Sequence, residues 1–339
     1  MPSDGRPETD HGPDDADTKN AAAAPVRPRR ARWVRRSFAV AVVLALAVLL
    51  WRQRQEVLAA LQSLSPWLVC LSLLLATIGT WLPGLVWRDL LAAQGYPTAP
   101  RAGQRAFFLA QLGKYLPGGI WALVAQVALA RDLRVPARQA ATATFLTLLL
   151  TIICALLVAG ATLPFALPGV VGTYWWTFLA VPVLLLLLHP RSVERWSALA
   201  FRLLRRPGTA VRLSWASLLR AALFLSAAWL AHGLHFAVLV AGMDDADTAA
   251  SLWLLSVGVF ALSWVAGFLV VVAPAGAGIR EAALVLGFAA VLPAGAVLTA
   301  ALLSRLLLVV ADLALALGMA GTALVPRRPQ APARAGGVE

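Results

Sequence analysis

An all-α, polytopic membrane protein is the fold class this sequence predicts, on three observations. Apolar segments recur along the chain, several longer than the roughly 18 residues needed to cross a bilayer. Only 13% of the residues are charged and 60% are hydrophobic, whereas a soluble domain carries roughly a quarter charged residues. Two apolar segments are broken by proline and glycine at related places. Pro117 to Pro136 and Pro274 to Pro293 both span 19 residues, and one offset of 157 superimposes the pairs. Broken helices at corresponding positions of two halves point to a transporter-type site at membrane depth. The expected architecture is about six full crossings plus two re-entrant segments, arranged as an inverted internal repeat.

Taken in order, residues 1–36 are rich in Pro, Ala, Asp and Arg without apolar periodicity, which predicts a disordered basic tail. The apolar run that follows is flanked by arginines and lacks a small-residue cleavage site, so it reads as a signal anchor, not a removable leader. A transmembrane domain then occupies 37–320, with halves of about 67–162 and 215–318, and a short tail at 321–339. Full crossings are expected at Ser37–Trp51, Trp67–Val86, Gln139–Thr162, Tyr174–Leu188, Trp215–Ala241 and Gly295–Gly318. The interrupted segments are Gln104–Ala130 and Ser251–Leu292. In the first, each arm around Pro117-Gly118-Gly119 is about half the roughly 30 Å bilayer core. Such arms suit a hairpin that enters and leaves on one side. Ser251–Val272 is long enough to span by itself, which makes eight crossings the alternative.

Charge placement orients this scheme. Lys and Arg gather at 1–36, 87–105, 131–138, 189–214 and 321–339, while loops 163–173 and 242–250 have none and the second carries Asp244, Asp245 and Asp247. The positive-inside rule then puts both termini in the cytoplasm of a cell-membrane protein. Arg52 and Arg54 alone dissent. The net charge of +13 is spent on these loops, so a nucleic-acid partner is not expected. Trp51, Trp67, Trp87, Tyr174, Trp175, Trp176 and Trp215 fall at segment ends and read as interfacial anchors. Cys70 and Cys154 lie inside apolar runs and read as buried packing residues.

Five charges lie deep in apolar segments: Lys114, Arg280, Glu281, Arg305 and Asp312. Each costs at least about 2.5 kcal/mol there and therefore marks a functional site by default. Gln104, Gln111 and Lys114, spaced i, i+7, i+10, are expected on one helix face pointing at the first break. Arg305 and Asp312 share a face two turns apart, too far to pair, so each needs a partner, and Glu281 and Arg280 are the available ones. The five sum to +1, which leaves one cation for an anionic guest such as a phosphate. A helix starting near Gly119 or Gly278 would add free N–H groups to that site. His232 and His235, three apart on one face, read as interhelical hydrogen-bonding residues. No motif for a metal, a cofactor or a catalytic nucleophile is present.

The run Gly113-Lys114-Tyr115-Leu116-Pro117-Gly118-Gly119-Ile120-Trp121, followed by Ala130-Arg131, resembles a GKYxPGxxW…AR signature. Pro274-Ala275-Gly276-Ala277-Gly278-Ile279-Arg280-Glu281, followed by Arg305, resembles the PGGxGxRE…R signature of the same family, with Ala275 where glycine is usual. That family is the lysylphosphatidylglycerol synthase transmembrane region, the flippase-like membrane proteins. The resemblance implies movement of aminoacylated phosphatidylglycerol between leaflets, or association with glycosyltransferases acting on polyprenyl-phosphate lipids. It also implies that the soluble aminoacyl-transferase domain is missing, so that the chain is not the synthase.

The function expected from residues and resemblance together is binding and translocation of an anionic lipid headgroup, from a phospholipid or a polyprenyl-phosphate-linked lipid. The expected binding residues are Gln111, Lys114, Tyr115, Pro117, Gly118, Gly119, Pro274, Gly276, Gly278, Arg280, Glu281, Arg305 and Asp312. Glu281 and Asp312 are expected to hold the cations. One alternative is a membrane scaffold for a separate glycosyltransferase or lipid-modifying enzyme. Another is an intramembrane lipid transferase with Glu281 or Asp312 as base.

Overall fold

The computed structural model describes residues 40, 44, 48, 51, 64–116, 120–167, 180–203, 213–243, 250–269 and 278–321. Contacts divide the chain into residues 1–41, of which Val40 alone is described, and residues 42–339, which hold every element below. Both tails, most of Ser37–Trp51 and the start of Tyr174–Leu188 lie outside the described residues, as do Tyr174, Trp175 and Trp176.

All the elements are helices: α1 (Pro66–Ala93), α2 (Pro100–Gln111) with a 3-10 turn (Leu112–Tyr115), α3 (Trp121–Ala130) with a 3-10 turn (Arg131–Leu133), α4 (Ala137–Ala166), α5 (Ala180–Leu187), α6 (Pro190–Leu203), α7 (Trp215–Met243), α8 (Ala250–Leu269), α9 (Ile279–Phe288) and α10 (Ala294–Gly321). Leu, Ala and Val fill the long ones, and α1, α2 and α6 begin on proline, where the missing N–H has no intrahelical acceptor to lose. Pro83 and Pro164 sit inside α1 and α4, as neighbouring membrane helices allow. Among the described residues five helices, α1, α4, α7, α8 and α10, are long and apolar enough to cross a membrane. Large apolar side chains crowd their outer faces (Leu74, Leu219, Leu223, Leu317), as a lipid-facing surface requires. The protein is a multi-pass membrane protein.

At four of the expected crossings the structure has a helix long and apolar enough to cross, each a few residues longer than the apolar run that signalled it. The first interrupted segment forms two short helices, α2 and α3, of 12 and 10 residues, packed on each other. At 1.5 Å per residue neither reaches across a bilayer. The second segment departs from a matched pair of half-helices. Its first arm, α8, has 20 residues and can cross alone; only α9, again of 10 residues, is short. The reason is compositional: Leu252 to Leu269 contains no ionisable side chain, whereas α2 carries Arg101, Gln104 and Arg105.

The helices α1 and α7 form the centre, running antiparallel. Ser72 meets His235, Thr80 meets His232, and Leu68 meets Gly242, so one number falls as the other rises. The packing has a regularity. Exchanging α1 with α7, α2 with α8, α3 with α9 and α4 with α10 leaves the set of packed pairs among these eight helices unchanged. For example, α2 packs on α10 and α8 on α4, while α3 packs on α4 and α9 on α10. Equivalent glycines serve equivalent joints: Gly84 of α1 lies against Gln104 of α2, and Gly233 of α7 against Val257 of α8.

Candidate functional site

Both interrupted segments are tied to the same helix, α10, by ion pairs of opposite polarity. From the first, the 3-10 turn after α2 presents Lys114, whose Nζ lies 2.6 Å from Asp312 Oδ2, and Tyr115, whose hydroxyl donates to the same oxygen. From the second, α9 presents Glu281, whose Oε1 accepts from Arg305 Nη1 at 2.9 Å. Asp312 is almost fully buried, with its side chain 1% exposed, and Glu281 and Arg305 are nearly so. Lys114 is different: 38% of its side chain is exposed. One end of that pair is therefore wet and the other dry.

Arg280 is the third cation. Its guanidinium lies 4.5 Å from the centre of the Phe260 ring, on α8. Among the described residues no carboxylate pairs with it. A cation over an aromatic face is held by the ring quadrupole without losing its charge. Arg280 and Arg305 both act electrostatically on Tyr115, and Arg280 and Lys114 both on His232. The structure thus gathers Lys114, Tyr115, Arg280, Glu281, Arg305 and Asp312 into one neighbourhood.

Gly278 precedes α9 with φ +86°, a left-handed conformation that favours glycine. Its N–H donates to Glu281 Oε2 at 2.7 Å. The expectation that Gly278 offers this N–H to a guest is therefore corrected: Glu281 already holds it. The next amides, of Ile279, Arg280 and Glu281, have no acceptor within the helix. Pro117, Gly118, Gly119, Pro274 and Gly276 lie outside the described residues.

Other expectations change as well. Asp312 pairs with Lys114 and not with Arg280, because the 3-10 turn brings Lys114 to α10 while Arg280 turns onto Phe260. The first break, which Gln104 is expected to face, has its residues 117–119 outside the described residues. Gln104 is buried against Gly84 of α1, while Lys114 lies on the 3-10 turn that follows α2. Gln111, half-buried, ends α2 just before that turn. Trp87 is not an interfacial anchor but fully buried, its indole N–H donating to Thr144 Oγ1 at 3.1 Å. Trp51, Trp67 and Trp215 are exposed. Cys154 is buried, whereas Cys70 is exposed on α1.

The histidines link helices. His235 Nδ1 lies 3.0 Å from the Ser72 carbonyl oxygen, which can only accept, so Nδ1 carries the proton. Nε2 then accepts from Ser304 Oγ at 2.9 Å, joining α1, α7 and α10 through one neutral ring. Among the described residues no cluster of three His, Cys, Asp or Glu could hold a metal. Sequence reasoning missed Phe260, the seat of Arg280. The available signal was the i, i+4, i+8 stripe Phe260, Trp264, Phe268 on one face of α8.

Chemically, among the described residues two of these three cations are paired with carboxylates and the third is not. Such a constellation suits a guest bearing negative charge. Comparison with known sequences adds one finding: the family described as "Lysylphosphatidylglycerol synthase TM region" matches residues 38–316. No curated protein matches the chain.

Proposed function

Since this chain belongs to the lysylphosphatidylglycerol synthase TM region family, we propose that it binds the phosphate of an anionic lipid headgroup at Arg280 and Lys114 and carries that headgroup between leaflets. The observation that carries this reading is Arg280, a half-buried cation with an aromatic seat and no carboxylate partner among the described residues. Holding a charge at membrane depth costs at least about 2.5 kcal/mol, and a phosphate would offset that cost. Glu281 and Asp312 hold Arg305 and Lys114 in place, and the first-turn amides of α9 add partial positive charge.

Movement follows from the repeat. Equivalent helices α1 and α7 run antiparallel, which supports a two-fold axis in the membrane plane and hence an inverted repeat. Rocking one half against the other around a site at their junction would expose it alternately. The short pair α2–α3 is read as re-entrant, the termini as cytoplasmic and the location as the cell membrane. Pro117, Gly118, Gly119, Pro274 and Gly276, expected from the sequence to form the breaks, lie outside the described residues; Gln111 ends α2. This reading assigns no covalent step to the chain.

The test is leaflet exchange of labelled phosphatidylglycerol in reconstituted vesicles. Arg280→Gln is expected to cut the protein-dependent rate at least tenfold while leaving the folded yield intact. An unchanged rate in that variant would remove the basis of the proposal.

A further inference from the structure

Asp312 is satisfied on one side only. Lys114 Nζ and the Tyr115 hydroxyl both sit on Oδ2, while Oδ1 is buried and has no hydrogen-bond partner among the described residues. A buried carboxylate oxygen left bare calls for an explanation, because native polar atoms at such depth are normally paired. The asymmetry of the pair supplies one. Lys114 is more than a third exposed and can swing towards a guest, whereas Asp312, on α10 and 1% exposed, cannot follow.

We propose that Asp312 Oδ1 is a proton-binding site whose filling is coupled to headgroup binding, an inference that rests on the function read above. When an anionic headgroup draws Lys114 away, Asp312 is left as an unpaired buried carboxylate. It then takes one proton from water on Oδ1, and Oδ2 keeps accepting from Tyr115. The Lys114–Asp312 pair becomes a Lys114–headgroup pair plus a neutral Asp312, with one proton taken up and the charge of the bound site otherwise unchanged. Each headgroup thus enters with a proton, and a proton gradient becomes a source of energy for its movement.

The surrounding groups leave Asp312 as the acceptor. Lys114 and Tyr115 face it from the 3-10 turn. Arg305, on its own helix, is held by Glu281 of α9, and Arg280 of α9 lies on Phe260. On α7, His235 has both ring nitrogens engaged while neutral, and His232 lies against Thr80. The other ionisable side chains of α7, α1 and α2 lie near the helix ends: Arg220; Arg88 and Asp89; Arg101 and Arg105. Cys70, on α1, faces outward.

The experiment measures binding of phosphatidylglycerol to the full-length protein in phosphatidylcholine nanodiscs as a function of pH. One proton taken up per headgroup makes the affinity fall about tenfold per pH unit over the range in which Asp312 is ionised in the free protein and protonated in the complex. Asp312→Asn, which keeps the Tyr115 hydrogen bond, is expected to flatten that slope. Infrared difference spectra should show a carboxylic-acid band on lipid addition in the wild type and none in Asp312→Asn. Binding that is tight but independent of pH, or a band that persists in Asp312→Asn, overturns the proton site and leaves the lipid-binding reading standing. No preference for phosphatidylglycerol over phosphatidylcholine at any pH overturns both. Inorganic phosphate in the same nanodiscs separates the sources. A slope with lipid alone supports the coupling for headgroups, and a slope with both supports it for phosphate in general.

Discussion

A Cβ added at Gly233 would come 2.3 Å from the Val257 Cα, a backbone atom on α8 that has no rotamer by which to retreat. Gly79 is different: there the nearest atoms belong to the His232 ring, a side chain that can turn. Overpacking of a close joint typically costs about 1–3 kcal/mol. Gly233→Ala is therefore expected to lower the unfolding temperature in detergent clearly, and Gly79→Ala by less. Equal midpoints for the two would contradict the packing described. The same scale explains what single residues could and could not reveal from sequence. Five charges at membrane depth were legible because each is expensive, and four of them pair, Lys114 with Asp312 and Arg305 with Glu281. Which acid takes which cation was not legible. It depends on a 3-10 turn that rotates Lys114 by a fraction of a helical turn, and no local signal in Leu112–Tyr115 announces that turn.

At the scale of elements, apolar length identified α1, α4, α7 and α10, and the prolines and glycines located the ends of α2, α3 and α9. Helix α8 was the ambiguous case. Its uninterrupted apolar run fits both a crossing and the arm of a broken segment, and length settles that it can cross. The pair α2–α3 gives a direct prediction. Two side-by-side helices of 12 and 10 residues, each too short to cross, support the re-entrant reading, in which the chain returns to the side it left. Cysteines placed at Arg101 and Arg134 in a background without Cys70 and Cys154 should react with an impermeant thiol reagent from one and the same side. Opposite-side labelling would show that α2 and α3 cross the bilayer together and would end the re-entrant reading.

The molecule as a whole has two broken segments tethered to one helix. Break one lends a cation to Asp312 and break two lends an acid to Arg305, so α10 feels both. Movement of the second segment relative to α10 must remake the buried Glu281–Arg305 pair, where leaving one partner behind typically costs about 3–5 kcal/mol, whereas Lys114 of the first can find water. A guest anion, with a proton for Asp312, is what would lower that barrier. On the function proposed above, the pairing of equivalent helices across the centre would supply the two states, and the guanidinium of Arg280, which no carboxylate pairs among the described residues, would draw the guest.

That claim is tested most directly by photocrosslinking a phosphatidylglycerol with a photoreactive headgroup to the protein in vesicles and mapping the adducts by mass spectrometry. The account expects adducts around Lys114–Tyr115 and Ile279–Arg280, reduced by excess unlabelled phosphatidylglycerol. Adducts confined to outward-facing side chains such as Leu286 and Leu317, and indifferent to competitor, would contradict it.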